Sequence, residues 1–118
     1  MRFIRSFSYA WQGIRSCYKR EKNFRIQLFL SLPVYCAGFY FGLSGSEWLA
    51  ILFCTMLTLS LEMINSSIEK LADFVTSSIH PVIKQVKDIA AGAVLLSAII
   101  SIVMGCIIFI PKLKPFLK

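Results

Sequence analysis

Residues 48–75 read WLAILFCTMLTLSLEMINSSIEKLADFV, an apolar run that passes into a polar one with no proline or glycine between. Trp48 to Leu61 is too short to cross a bilayer alone, because a spanning helix needs about 20 apolar residues. Read as one helix, 48–75 crosses the hydrocarbon and projects into water. On that projecting end Glu62, Asn65, Glu69 and Asp73 recur at helical spacing and fall on one stripe. An acid directly after an apolar run lies near the headgroups, where ionisable groups are costly and usually functional. Water-facing helices usually mix Lys with Glu four residues apart, whereas this stripe holds only acids and an amide.

Two further apolar runs flank it. From 26 to 43 the only strongly polar side chain is Gln27. This run is close to the lower length limit for a span, and its Pro33 is tolerable inside a membrane helix. Gly38 and Gly42 form a G-x-x-x-G within it, and GLSGSE (42–47) reads as a tight turn. From 89 to 110 there is no charge at all; Ala93, Ser97, Ser101 and Gly105 draw a ridge of small side chains, and Pro111 is expected to end the helix. The preceding segment, 1–25, carries seven of the thirteen basic residues of the chain. There Phe3, Ile4, Phe7, Trp11, Ile14 and Tyr18 share one helical face, and Arg2, Arg5, Arg15 and Lys19 alternate with them. That is the pattern of a helix lying in the membrane interface.

Composition agrees with this division. The 118 residues are 57% hydrophobic and 16% charged, against roughly 45–50% and 25% in soluble domains, which excludes an aqueous globular enzyme and a disordered chain. The expected architecture is therefore an all-α membrane protein, one domain over 1–118: a surface helix (1–25) and spans at 26–43, 48–75 and 89–110. Seven basic residues before the first span and none in the first loop place the N-terminus and the 76–88 loop in the cytoplasm. The basic tail of Lys112, Lys114 and Lys118 opposes that orientation mildly. The four cysteines lack metal or disulfide spacing and read as small hydrophobes.

An oxygen-rich acidic stripe without His or Cys suits a hard cation, Mg²⁺ above all. Lys87 and Asp88 add a phosphate-seeking cation and another oxygen ligand. Together they suggest phosphoryl transfer, although no soluble kinase signature is present. A small membrane scaffold and a cation-transport subunit are the other classes weighed. A scaffold leaves the acidic stripe unexplained, and a transporter places its acids at midplane instead of at one face.

The run Glu62-Met-Ile-Asn65-Ser-Ser-Ile-Glu69-Lys-Leu-Ala-Asp73, followed by Lys87-Asp88-Ile-Ala-Ala-Gly-Ala-Val94, resembles the signature of the prokaryotic diacylglycerol kinase / undecaprenol kinase family. Tyr9-Ala-Trp-Gln-Gly13-Ile-Arg15 and Glu21-Lys-Asn-Phe24-Arg25 are similar to its amphipathic leading helix. The resemblance implies a homotrimeric, ATP-dependent lipid kinase of the bacterial plasma (inner) membrane, with composite sites at the cytoplasmic face. It implies Glu62 as catalytic base with Asn65 beside it, and Glu21 and Glu69 as carboxylates for the Mg²⁺ of MgATP. It assigns Tyr9, Glu21, Glu69, Asp73, Lys87 and Asp88 to the nucleotide, and Arg2, Trp11, Arg15, Phe24, Arg25 and Glu62 to the lipid. The loop Phe74-Val-Thr-Ser-Ser-Ile-His80-Pro81 is more similar to undecaprenol kinases than to the Gly-Ser-Glu loop of Gram-negative diacylglycerol kinases. Undecaprenol is therefore the expected acceptor and diacylglycerol the next; His80 reads as a loop residue.

Overall fold

The computed structural model describes residues 2–116; Met1 and Lys118 of the expected single domain and basic tail lie outside them. Four helices follow one another: α1 (Arg2–Arg20), α2 (Lys22–Phe41), α3 (Gly45–Val75) and α4 (Pro81–Leu113), with a 3-10 turn at Lys114–Phe116. No strand forms among the described residues. The surface helix and three long apolar helices are those expected, and α2, α3 and α4 are each long and apolar enough to cross a membrane.

The boundaries differ in three places, each for a local reason. The surface segment expected to run to Arg25 stops at Arg20, and Glu21 adopts an extended conformation at the head of α2. The Arg25 guanidinium reaches back and donates from Nη1 to the carbonyls of Tyr18 and Lys19, at 2.8 and 2.9 Å. Those are carbonyls that the end of α1 leaves without helical partners. The turn expected at 42–47 closes earlier: Gly42 takes φ 66° and caps α2, and Ser44 and Glu47 form a reciprocal capping box that opens α3 at Gly45. Finally, the helix expected over 89–110 begins at Pro81 and continues to Leu113. Proline at the first helical position is pre-organised for the helix, and His80 caps it by accepting the Val82 N–H at Nδ1. Pro111 removes a single bond near the end and does not stop α4.

The two glycines of G-x-x-x-G serve different purposes. Gly42 supplies the left-handed cap, whereas Gly38 is buried beneath Trp48. A Cβ at Gly38 would sit 2.7 Å from the indole Cη2. On α4 the small-residue ridge meets α3: Ser97 is buried, and the Ser101 and Thr58 hydroxyls lie 3.2 Å apart.

Side-chain packing concentrates in two clusters. Cys17, Phe24 and Leu59 gather where α1, α2 and α3 meet, and Leu43, Ile51 and Ile108 gather at the opposite ends of the long helices. The surface is 9029 Å², against about 6,500 Å² for a soluble monomer of this mass. The excess is the apolar flank of helices with no partner within one chain.

Candidate functional site

Glu62 lies one turn beyond Leu59 on α3 and is 3% exposed. Asn65 is 7% exposed beside it on the same stripe, its Oδ1 buried with no partner among the described residues. The Gln27 side chain lies against Glu62 from α2, and Glu21 and Glu69 act on that carboxylate electrostatically. Among the described residues neither Glu62 nor Glu69 forms an ion pair, while Lys70 approaches Glu21 at 3.8 Å. A buried carboxylate with carboxylates for neighbours is costly and sits where fold stability alone gives no reason for it.

Each of the others is held by its helix. Glu21 falls at the α1–α2 junction and makes no capping bond; its carboxylate faces only the 3.8 Å approach of Lys70. Glu69 sits exposed, two turns beyond Glu62. Glu21 and Glu69 are oxygen-only donors, a set that suits Mg²⁺, which takes one or two carboxylates and completes its shell with water and substrate phosphates. No group of three His, Cys, Asp or Glu able to hold a metal occurs among the described residues. Burial, then the nearby Glu21, pushes the Cys17 thiol up, which leaves it a packing group and not a nucleophile.

The Lys87-Asp88 pair divides. Lys87 reaches back across the loop to Asp73 with Nζ–Oδ1 at 2.5 Å, and Asp88 pairs with Lys84 one turn away at 2.6 Å. Of the positions assigned to the lipid, Phe24 is buried in the first cluster and Arg25 caps α1. Arg2, Trp11 and Arg15 are exposed along α1, as is Tyr9. Gln27 was assigned no role by sequence reasoning. Its signal was present all the same, as the single strongly polar side chain in an apolar run.

A family model described as prokaryotic diacylglycerol kinase matches residues 8–109. The chain belongs to the prokaryotic diacylglycerol kinase family. The undecaprenol kinase of Bacillus subtilis (strain 168) is 40% identical over 112 residues, covering 95% of this chain and 91% of that protein. A diacylglycerol kinase of Synechocystis is 35% identical over 109 residues, covering 92% of this chain and 62% of that protein. The diacylglycerol kinase of Haemophilus influenzae is 30% identical, covering 90% and 91% respectively. Membership makes the protein a membrane lipid kinase and sets aside the scaffold and cation-transport readings.

Proposed function

We propose that the protein transfers the γ-phosphate of MgATP to the hydroxyl of undecaprenol at the cytoplasmic face of the bacterial plasma membrane. The observation that carries the reaction is the buried Glu62, set beside Asn65 and Gln27 with two further carboxylates near it. The acceptor is argued from the similarity to the Bacillus undecaprenol kinase over nearly the whole chain.

Glu62 accepts the proton of the lipid hydroxyl as its oxygen attacks the γ-phosphorus. The bond from that phosphorus to the bridging oxygen breaks, leaving ADP and a lipid phosphate. Asn65 orients Glu62 and the phosphates. Glu21 and Glu69 would hold Mg²⁺, which when bound supplies charge neutralisation at the phosphates. Lys87, Asp73 and Asp88 face the nucleotide from the helix ends, and Tyr9 meets it from α1. Arg2, Trp11 and Arg15 form the lipid side, with Phe24 packed in the core and Arg25 capping α1 behind them. In this reading three copies assemble, and each site is completed by a neighbour.

Transfer of radiolabelled phosphate from ATP to undecaprenol and to diacylglycerol in mixed micelles tests the proposal. Undecaprenol should give the higher kcat/KM. A preference for diacylglycerol, the activity named for the Synechocystis and Haemophilus relatives, would reverse the acceptor. Labelling of neither would overturn the reaction itself.

A further inference from the structure

Lys70 follows Glu69 directly on α3, outside the stripe of Glu62, Asn65, Glu69 and Asp73. Its ammonium stands 3.8 Å from Oε1 of Glu21. The two partners differ in freedom. Glu21 is pinned through its backbone: its N–H donates to the Cys17 carbonyl at 2.9 Å, and its own carbonyl accepts the Arg25 N–H at 3.3 Å. The Arg25 guanidinium ties the same junction to α1 through two further carbonyls. The Glu21 side chain is 23% exposed and that of Lys70 53%. A lysine is a point charge on four flexible carbons, so the partner free to move is Lys70. Its pair is also the loosest at these helix ends, since Lys84 holds Asp88 at 2.6 Å and Lys87 holds Asp73 at 2.5 Å. At 3.8 Å the ammonium is drawn to Glu21 by charge without a directed hydrogen bond, and an exposed pair of that kind exchanges readily.

We infer that Lys70 holds the cation's place beside Glu21 until MgATP arrives and then passes to a phosphate oxygen; the inference rests on the reading of Glu21 and Glu69 as the carboxylates for Mg²⁺. An ammonium at Glu21 repels a divalent ion that approaches the same oxygens. Free Mg²⁺ must displace Lys70 into water and gains only carboxylate oxygens in return. Mg²⁺ carried by ATP arrives with phosphate oxygens, so the displaced ammonium leaves one anion for another and its charge stays paired. Lys70 is then a positioning residue. It screens the carboxylates from the bare ion, opens them to the metal–nucleotide complex and adds a charge contact to the phosphates.

The test uses the purified protein in micelles, with Mn²⁺ in place of Mg²⁺ because both suit carboxylate oxygens and Mn²⁺ is paramagnetic. Its binding is titrated by electron paramagnetic resonance without nucleotide. Lys70→Met should bind Mn²⁺ about fivefold more tightly than the wild type, which is about 1 kcal/mol and the upper end for an exposed pair. The KM for MgATP should rise by about fivefold, the same lost charge pair, while kcat holds. Lys70→Arg should return both values toward the wild type. Lys22 lies next to Glu21 in the chain and in no ion pair among the described residues, so Lys22→Met reports the general field of a lost lysine. Its Mn²⁺ affinity should shift by less than about twofold, because charges not in contact are screened. Unchanged Mn²⁺ affinity in Lys70→Met overturns the inference, and so does an equal gain in Lys22→Met. A gain with an unchanged KM overturns the passage to phosphate. The metal reading has its own readout, the Lys70→Met, Glu21→Gln double variant, in which the gain should vanish. A gain that survives there would put the cation away from Glu21 and sink that reading.

Discussion

Glu62 and Glu69 share a stripe two turns apart, yet one is buried and the other open to solvent. In the proposed mechanism that division goes with different tasks. A buried carboxylate suits proton removal from a lipid alcohol, which is a very weak acid and gains nucleophilicity only when a base takes its proton. Glu62→Gln should therefore lower kcat by about 10²–10⁴ while the KM for MgATP holds, a split that steady-state kinetics and titration with a fluorescent ATP analogue resolve. A matching loss of nucleotide affinity would make Glu62 a binding carboxylate. Glu69 has no ion-pair partner among the described residues and Glu21 only the long pair with Lys70, so Glu21→Gln and Glu69→Gln should raise the Mg²⁺ needed for half-maximal rate by about tenfold or more. Partial recovery at high Mg²⁺ is expected; unchanged Mg²⁺ dependence in both variants would remove the metal assignment.

At the scale of elements, the junctions are single-residue devices. Arg25 ties α1 to α2 through two carbonyls, so Arg25→Ala should release the surface helix. Amide hydrogen exchange at Tyr18–Glu21 should accelerate while exchange in the middle of α3 stays as it was; equal protection in both proteins would deny the tether. At the other end, Trp48 occupies the space that a side chain at Gly38 would need. The indole is rigid and also stacks on Tyr35 at 6.0 Å between ring centroids. Gly38→Ala should cost about 1–3 kcal/mol as an overpacked site, read from the thermal melt in detergent. Adding Trp48→Phe should restore part of it, because the smaller ring vacates the contested position. No recovery in the double variant would locate the strain elsewhere.

At the scale of the whole molecule, one chain leaves its long helices largely uncovered. Only about a tenth of the best apolar window of α2 and of α4 is buried within the chain, against 33% for α3. Lipid covers some of this surface, but the buried polar groups around Glu62 are better served by protein. The three-copy assembly proposed above predicts a species of three 13.4 kDa chains in native mass spectrometry from detergent. A species of one chain that retains full kinase activity would contradict the composite site.

Hydropathy and spacing by themselves determined the architecture, because a chain this apolar must satisfy its backbone inside helices when it meets lipid. The same reading put Glu62, Asn65, Glu69 and Asp73 on one stripe, since helical periodicity needs no tertiary information. It did not separate buried Glu62 from exposed Glu69, because burial depends on what packs against the stripe, here Gln27 and the α1–α2 junction. Nor did adjacency in sequence reveal that Lys87 and Asp88 part company. Neighbouring helical residues point about 100° apart, so Lys87 reaches Asp73 across the loop while Asp88 turns to Lys84. The end of α1 at Glu21 and the approach of Lys70 to it were likewise decided by tertiary structure. A guanidinium reaching back and an ammonium meeting a carboxylate from another helix are contacts among segments, and no single segment encodes them.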